Sequence, residues 1–184
     1  MSESAAKAKA RSRVGRAPSH TPREALGFYG YRVRDVMTRP VVSVPPTASL
    51  AEAATRMSRR GISGLPVITG GGRLVGVVSQ KDILRVLAAR AGLKLPGSVL
   101  DLVLARSAAG RSDLAERCRA VLDATKTRDA MSHPARSVAP DELLDDAVRL
   151  LVSGKINRLP VVARGKVVGI VTRTDLLSGL TTSA

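Results

Sequence analysis

The chain has 184 residues, with 30 Lys or Arg against 15 Asp or Glu and a formal net charge of +15. Hydrophobic residues make up 44% of it, enough for a packed core, so a wholly disordered chain is excluded. Aromatic residues make up only 2%, which argues against proteins that stack single-stranded bases on aromatic platforms. The single cysteine excludes an internal disulfide framework and a multi-cysteine metal site. Because no apolar run approaches the roughly 18–20 residues that cross a membrane, we expect a soluble, cytoplasmic protein.

Residues 1–31 form a basic tail. Its first 25 residues are mostly Ala, Ser, Lys, Arg and Pro, with almost no large apolar side chain, so we predict that the tail is disordered. It lacks the hydrophobic stretch of a secretory signal and the amphipathic face of a transit peptide. Six of its cations are candidate nucleic-acid contacts: Lys7, Lys9, Arg11, Arg13, Arg16 and Arg23.

The rest of the chain contains an internal duplication. Segments of its first half return in the same order in its second half: Arg34–Pro40 as Arg128–Pro134, Ile62–Ile68 as Ile156–Val162, and Gly76–Asp82 as Gly169–Asp175. The offset is about 94 residues, with a one-residue shift in the turn before the last segment. The predicted organisation is a first repeat at 32–88, a helical insert at 89–127 and a second repeat at 128–184.

Each repeat is predicted to contain a strand, a helix, two strands joined by a turn, and a second helix. The first helices show the i, i+3, i+4, i+7 spacing of one buried face: Leu50, Ala53, Ala54 and Met57, then Leu144, Ala147, Val148 and Leu151. Thr47 and Asp141 are their predicted caps. The second helices begin near Asp82 and Asp175. The fold class is α+β, and because one unit is too small to close a core, the two should pack together.

The insert carries helix signals of its own. Asp113 and Glu116 are predicted to form a capping box that opens a helix. The apolar face of this helix is Leu114, Cys118, Val121 and Leu122. With the apolar stretch at 99–104, this pattern indicates one or two extra helices. We expect Cys118 to be a buried small apolar residue rather than a reactive thiol.

The two repeats resemble the CBS-domain family, named after cystathionine β-synthase. The resemblance covers 32–87 and 128–180. It rests on the opening segment of Val-Met-x-x-Pro type, the Leu-Pro-Val strand and the closing Gly-x-x-Ser/Thr-x-x-Asp, each present twice. It implies a tandem pair, or Bateman module, with pseudo-twofold symmetry and two clefts between the repeats. It also implies a regulatory protein, often a homodimer, that binds AMP, ADP, ATP or S-adenosylmethionine and needs no catalytic cofactor.

The closing motifs are candidate nucleotide sites. Each motif leaves a strand and enters a helix, so the carboxylate of Asp82 or Asp175 can accept hydrogen bonds from both ribose hydroxyls. The hydroxyl of Ser79 or Thr172, with the free N–H groups of the helix end, suits phosphate. The same residues also fit simple capping boxes, and the two interpretations are compatible.

The second repeat carries more cations around its motif. Lys155, Asn157, Arg158 and Arg173 surround its Leu-Pro strand and closing turn. Asn157-Arg158 resembles the His-Arg pair that kinase-regulating γ subunits of the family place near phosphates, with Asn in place of His. The first repeat has Ser63-Gly64 at these positions. We therefore predict that the second site meets the phosphates; a solvated surface is the alternative role for these cations.

Catalysis has little support in the sequence. No histidine lies near Cys or carboxylates at metal-ligand spacing, and no nucleophile-elbow, Walker or dinucleotide motif occurs. The predicted function is a non-catalytic sensor that binds an adenosine-containing nucleotide and regulates an unidentified partner protein. The alternative is docking on ribosomal or other structured RNA through the tail and a basic face, gated by nucleotide, because a charge of +15 attracts phosphate.

Overall fold

The structure is a computed structural model that describes residues 30–91 and 113–181, with side chains described up to residue 177. Nearly all of the predicted basic tail and the whole apolar stretch at 99–104 lie outside these ranges. Within them the chain forms two α+β units, as the repeat predicts.

The first unit consists of helices beside a two-stranded antiparallel sheet. Its elements in chain order are α1 (Val33–Val36), α2 (Leu50–Arg60), β1 (Gly64–Ile68), β2 (Leu74–Ser79) and α3 (Gln80–Arg90). Leu65 of β1 stands opposite Val78 of β2, and both are fully buried. The predicted face of α2 is buried at Leu50, Ala53 and Met57, so the helix covers one side of the sheet.

The second unit has the same arrangement. Helix α4 (Asp113–Ala124) and a 3-10 turn (Thr127–Asp129) lead into it, followed by α5 (Leu144–Ser153), β3 (Arg158–Ala163), β4 (Lys166–Thr172) and α6 (Arg173–Thr181). Leu159 of β3 stands opposite Val171 of β4. Leu144, Ala147 and Leu151 are buried on the inner face of α5, as their spacing predicts.

The strand predicted to open each repeat is reduced to a single parallel bridge. Val44 bridges Val67 of β1, and Val138 bridges Val161 of β3. A proline follows within two residues in each repeat, and proline has no N–H to continue a ladder. Each sheet therefore has two full strands, and a single bridge stands where a third strand was expected.

The caps of the first helices differ from the predicted ones. Ser49, not Thr47, precedes α2, and its hydroxyl accepts a hydrogen bond from a backbone N–H of the first turn at 3.1 Å. Leu143 precedes α5 and makes no side-chain cap bond, whereas Asp141 pairs with the guanidinium of Arg34. In each repeat the predicted cap lies inside a tight turn, so the helix begins later than the pattern indicates.

Each opening segment packs on the other repeat. Val33 is buried in the core of the second repeat, and Ala130 is buried in the core of the first. Thr38 forms a backbone bridge to Ile170 of β4, and Val77 of β2 forms the equivalent bridge to Ser132. The two repeats are therefore joined by the exchange of their opening segments.

The methionine of each opening segment explains why the closing motif of the other repeat contains a glycine. Met37 lies over Gly169 of β4, and Met131 lies over Gly76 of β2. A Cβ atom at either glycine would overlap the methionine sulfur. The glycines are thus required by a close approach between one repeat and the opening segment of the other.

Helix α4 packs on α2 and α3 through its apolar face. Leu114, Cys118, Val121 and Leu122 are all partly buried against the first core. The thiol of Cys118 is free and half-buried, rather than fully buried as expected. Beyond the helix, the buried hydroxyl of Thr127 donates to the carbonyl of Ala48 at 2.8 Å, which fixes the end of the insert to the first repeat.

Replacing Gly169 with alanine should lower the free energy of unfolding by about 1–3 kcal/mol, because overpacking must displace Met37 or the strand beneath it. Urea unfolding would measure the change. Gly71→Ala is the control, since no atom lies within 4 Å of the Cβ it would add; its effect should stay within about 0.5 kcal/mol. Equal unfolding midpoints for the two variants would contradict the proposed role of the close approach.

Candidate functional site

A cleft of about 500 Å³ lies where the two repeats meet, within the size range of small-molecule sites. Four parts of the chain line it: the opening segment of the first repeat, the turn that follows α2, the start of β3, and the closing motif of the second repeat. The exchange of opening segments is what brings these parts together.

Asp175 supplies the carboxylate of the cleft. Its Oδ2 accepts hydrogen bonds from the backbone N–H and from the hydroxyl of Thr172, both at 2.7 Å, which is the predicted cap at the start of α6. Its Oδ1 accepts a hydrogen bond from the hydroxyl of Thr38 at 2.9 Å. The carboxylate is half-buried and lines the cleft, so its free lone pairs are open to hydroxyl donors there.

Arg158 supplies a cation from the first residue of β3. Its guanidinium donates to the carbonyl of Gly64 and to the hydroxyl of Ser63, across the boundary between the repeats. Burial lowers the pKa of Arg158, and among the described residues no carboxylate pairs with it. A Cβ at Gly64 would lie 2.8 Å from the Arg158 Nη1, so glycine leaves the space that the guanidinium occupies. The cleft therefore contains a partly desolvated positive charge held only by neutral acceptors.

The other predicted second-repeat residues take different places. Asn157 and Arg173 both line the cleft. The guanidinium of Arg173 donates to the carbonyls of Ile156 and Leu151 at 3.2 and 3.4 Å, and so ties the closing motif to the end of α5. Lys155 lies in the turn after α5 with a φ of 49° and is not part of the lining.

An apolar wall completes the cleft. It consists of Pro40, Val42, Ile62 and Ile170. Sequence reasoning did not assign these residues to the site. Pro40 and Ile62 were visible as repeated positions, but only the exchange of opening segments brings them beside the closing motif of the second repeat.

The closing motif of the first repeat lies elsewhere. Ser79 caps α3, and the Oδ2 of Asp82 accepts from the N–H and the hydroxyl of Ser79 at 2.9 and 2.6 Å. The capping box predicted for this motif is therefore present. Neither Ser79 nor Asp82 lines the cleft, and Asp82 is only 5% exposed.

The tail cations predicted to contact nucleic acid, from Lys7 to Arg23, lie outside the described residues, and RNA docking stays a prediction. Within the part of the chain that the structure describes, no helix combines the length and the apolar character that a membrane span requires.

Comparison with known proteins identifies the repeats. The family model described as CBS domain matches residues 33–89 and 128–181. An uncharacterised protein of Methanocaldococcus jannaschii is 35% identical over 154 residues, which cover 80% of this chain and 90% of that protein. The A-adding tRNA nucleotidyltransferase of Aquifex aeolicus is 29% identical over 150 residues, 81% of this chain but only 14% of the enzyme.

A solved structure agrees with the sequence comparison. The crystal structure of CBSX2 in complex with AMP superposes with a TM-score of 0.61 at 29% identity, covering 83% of this chain and 98% of that one. The duplicated units, the exchanged opening segments and the paired closing motifs are therefore those of a CBS-domain pair, and the chain belongs to the CBS-domain family.

Proposed function

We propose that the protein is a non-catalytic regulatory module that binds an adenosine-containing nucleotide of the AMP type in the cleft beside Asp175. The observation that carries the proposal is the set of chemical groups that line this one cleft. The apolar wall corresponds to a base, and the carboxylate flanked by hydroxyls corresponds to a ribose. The guanidinium of Arg158, which is bonded to neutral groups, corresponds to a phosphate.

The apolar wall suits the base. Val42, Ile62 and Ile170 offer side chains without hydrogen-bonding groups, against which a flat ring system can be removed from water. The turn after α2, from Gly61 to Gly64, lines the same cleft beside these side chains.

The carboxylate suits the ribose. Asp175 is held on one oxygen by the cap and on the other by the hydroxyl of Thr38, so its position is fixed before a ligand arrives. A fixed acceptor loses little conformational freedom on binding, and hydrogen bonds to an ionised carboxylate are among the stronger ones. Two neighbouring ribose hydroxyls present the matching donors.

The guanidinium suits a phosphate. Arg158 has more N–H donors than its bonds to Gly64 and Ser63 use, and its present partners are neutral. A phosphate would supply the counter-charge that this partly buried cation lacks, through charge-assisted hydrogen bonds.

Regulation rather than catalysis is part of the proposal. Among the described residues that line the cleft there is no His, Cys or Lys to activate the hydroxyls of Thr38, Ser63 or Thr172 as nucleophiles. The solved relative CBSX2 binds AMP. The regulated partner protein, the homodimer, the cytoplasmic location and S-adenosylmethionine as an alternative ligand remain predictions.

Asp175→Asn should weaken AMP binding by roughly tenfold to a hundredfold, because an amide cannot replace an ionised acceptor of two hydroxyls. Isothermal titration calorimetry with AMP would measure the change. The matched control is Asp123→Asn, which alters an exposed carboxylate on α4 and should bind AMP as the parent does. Unchanged affinity in Asp175→Asn would contradict the assignment of the ribose site.

Arg158→Ala should weaken the binding of AMP by roughly tenfold or more, and the binding of adenosine much less, since only AMP carries the phosphate. The same titration with both ligands separates the two effects. Arg149→Ala, which removes an exposed cation from α5, serves as the control. An equal loss for adenosine and AMP would mean that Arg158 only holds the repeats together. Absence of any binding to the unaltered protein would refute the proposed function itself.

A further inference from the structure

The two closing motifs have the same cap but differ in their second carboxylate oxygen. In both repeats Oδ2 takes the hydrogen bonds of the capping box, from Ser79 in the first and Thr172 in the second. The other oxygen, Oδ1, is the one left for a ligand. The environments of Oδ1 in Asp82 and Asp175 therefore decide whether each motif can receive a ribose.

Arg85 covers the carboxylate of the first repeat. Its Nη2 lies 3.0 Å from Oδ1 of Asp82 and donates to the carbonyl of Ala130 at 3.1 Å. The guanidinium thus joins α3 to the opening segment that packs on the first repeat, and the carboxylate is left 5% exposed. In the second repeat the equivalent position is Ser178, which carries no cation, and Asp175 faces an open cleft.

The base side of the first-repeat motif differs as well. Val42, part of the apolar wall, corresponds in the duplication to Arg136. The guanidinium of Arg136 lies against Gly154 at the end of α5, 2.8 Å from where a Cβ of that glycine would stand. A nucleotide at the first motif would meet a cation where the second motif offers an apolar side chain.

We propose that Arg85 occupies the first-repeat site as a built-in substitute for a ligand, so that the protein binds one nucleotide per chain, at Asp175. This inference rests on the proposed function. A ribose at Asp82 would have to displace Arg85 and leave it without its ion pair, whereas a ribose at Asp175 competes only with the neutral hydroxyl of Thr38. In this proposal the duplication has kept one binding site, and the carboxylate of the other is paired with Arg85.

Titration calorimetry of the full chain tests the inference, with AMP and with adenosine as separate probes. The unaltered protein should bind one molecule of AMP, or one of adenosine, per chain. In Asp175→Asn, no binding at a second site should be observed. Two molecules per chain would overturn the inference while the proposed function stood. Binding at parental affinity in Asp175→Asn would overturn the inference together with the assignment of the ribose to Asp175. If neither probe binds to the unaltered protein, both the inference and the proposed function are refuted.

A gain of binding gives a second measurement. The double variant Arg85→Ser with Arg136→Val gives the Asp82 motif the residue types found at the Asp175 site. It should raise the number of adenosine molecules bound per chain from one towards two. Thermal unfolding would check that the variant is folded. The matched control is Arg90→Ser with Arg136→Val, because Arg90 lies on the same helix but bonds to Thr125 instead of Asp82. A folded Arg85→Ser/Arg136→Val variant that still binds a single adenosine would refute the role assigned to Arg85.

Discussion

The structure depends on the exchange of opening segments between the two repeats. Each segment places a methionine on the backbone of a strand in the other repeat, at a glycine that has no side chain to prevent it. The contact adds a backbone bridge to that strand and buries Val33 or Ala130 in the opposite core. Because each core is completed by a residue from the other unit, neither repeat closes its core alone. The relative position of the repeats is set by packing and by the covalent continuity of each opening segment with its own repeat.

The candidate site is a consequence of this exchange. Asp175 belongs to the second repeat, but the hydroxyl that donates to its Oδ1 belongs to Thr38, in the opening segment of the first repeat. The apolar wall likewise combines Val42 and Ile62 with Ile170. A change at Gly169 would therefore act on the site as well as on stability, because the segment it displaces carries part of the lining.

Duplication produced two similar motifs, and a few charged side chains made them unequal. Arg158 occupies the space that Gly64 leaves open, so these two equivalent positions cannot both carry arginine in this arrangement. Arg85 pairs with Asp82 where the second repeat has serine. These differences concern single residues, and each one adds or removes a positive charge beside a closing motif.

The sequence by itself determined the duplication, the α+β fold class, the buried helix faces and the two capping boxes, because these depend on local periodicity and on residues close together in the chain. It placed the helix caps at Thr47 and Asp141 wrongly, since a tight turn before each helix leaves no periodic signal. Only the tertiary structure decided that Asp175 lies in a cleft while Asp82 is covered, and that Thr38 and Val42 serve the second repeat. The physical reason is distance along the chain: Thr38 and Asp175 are 137 residues apart, and their contact follows from which segment packs on which core.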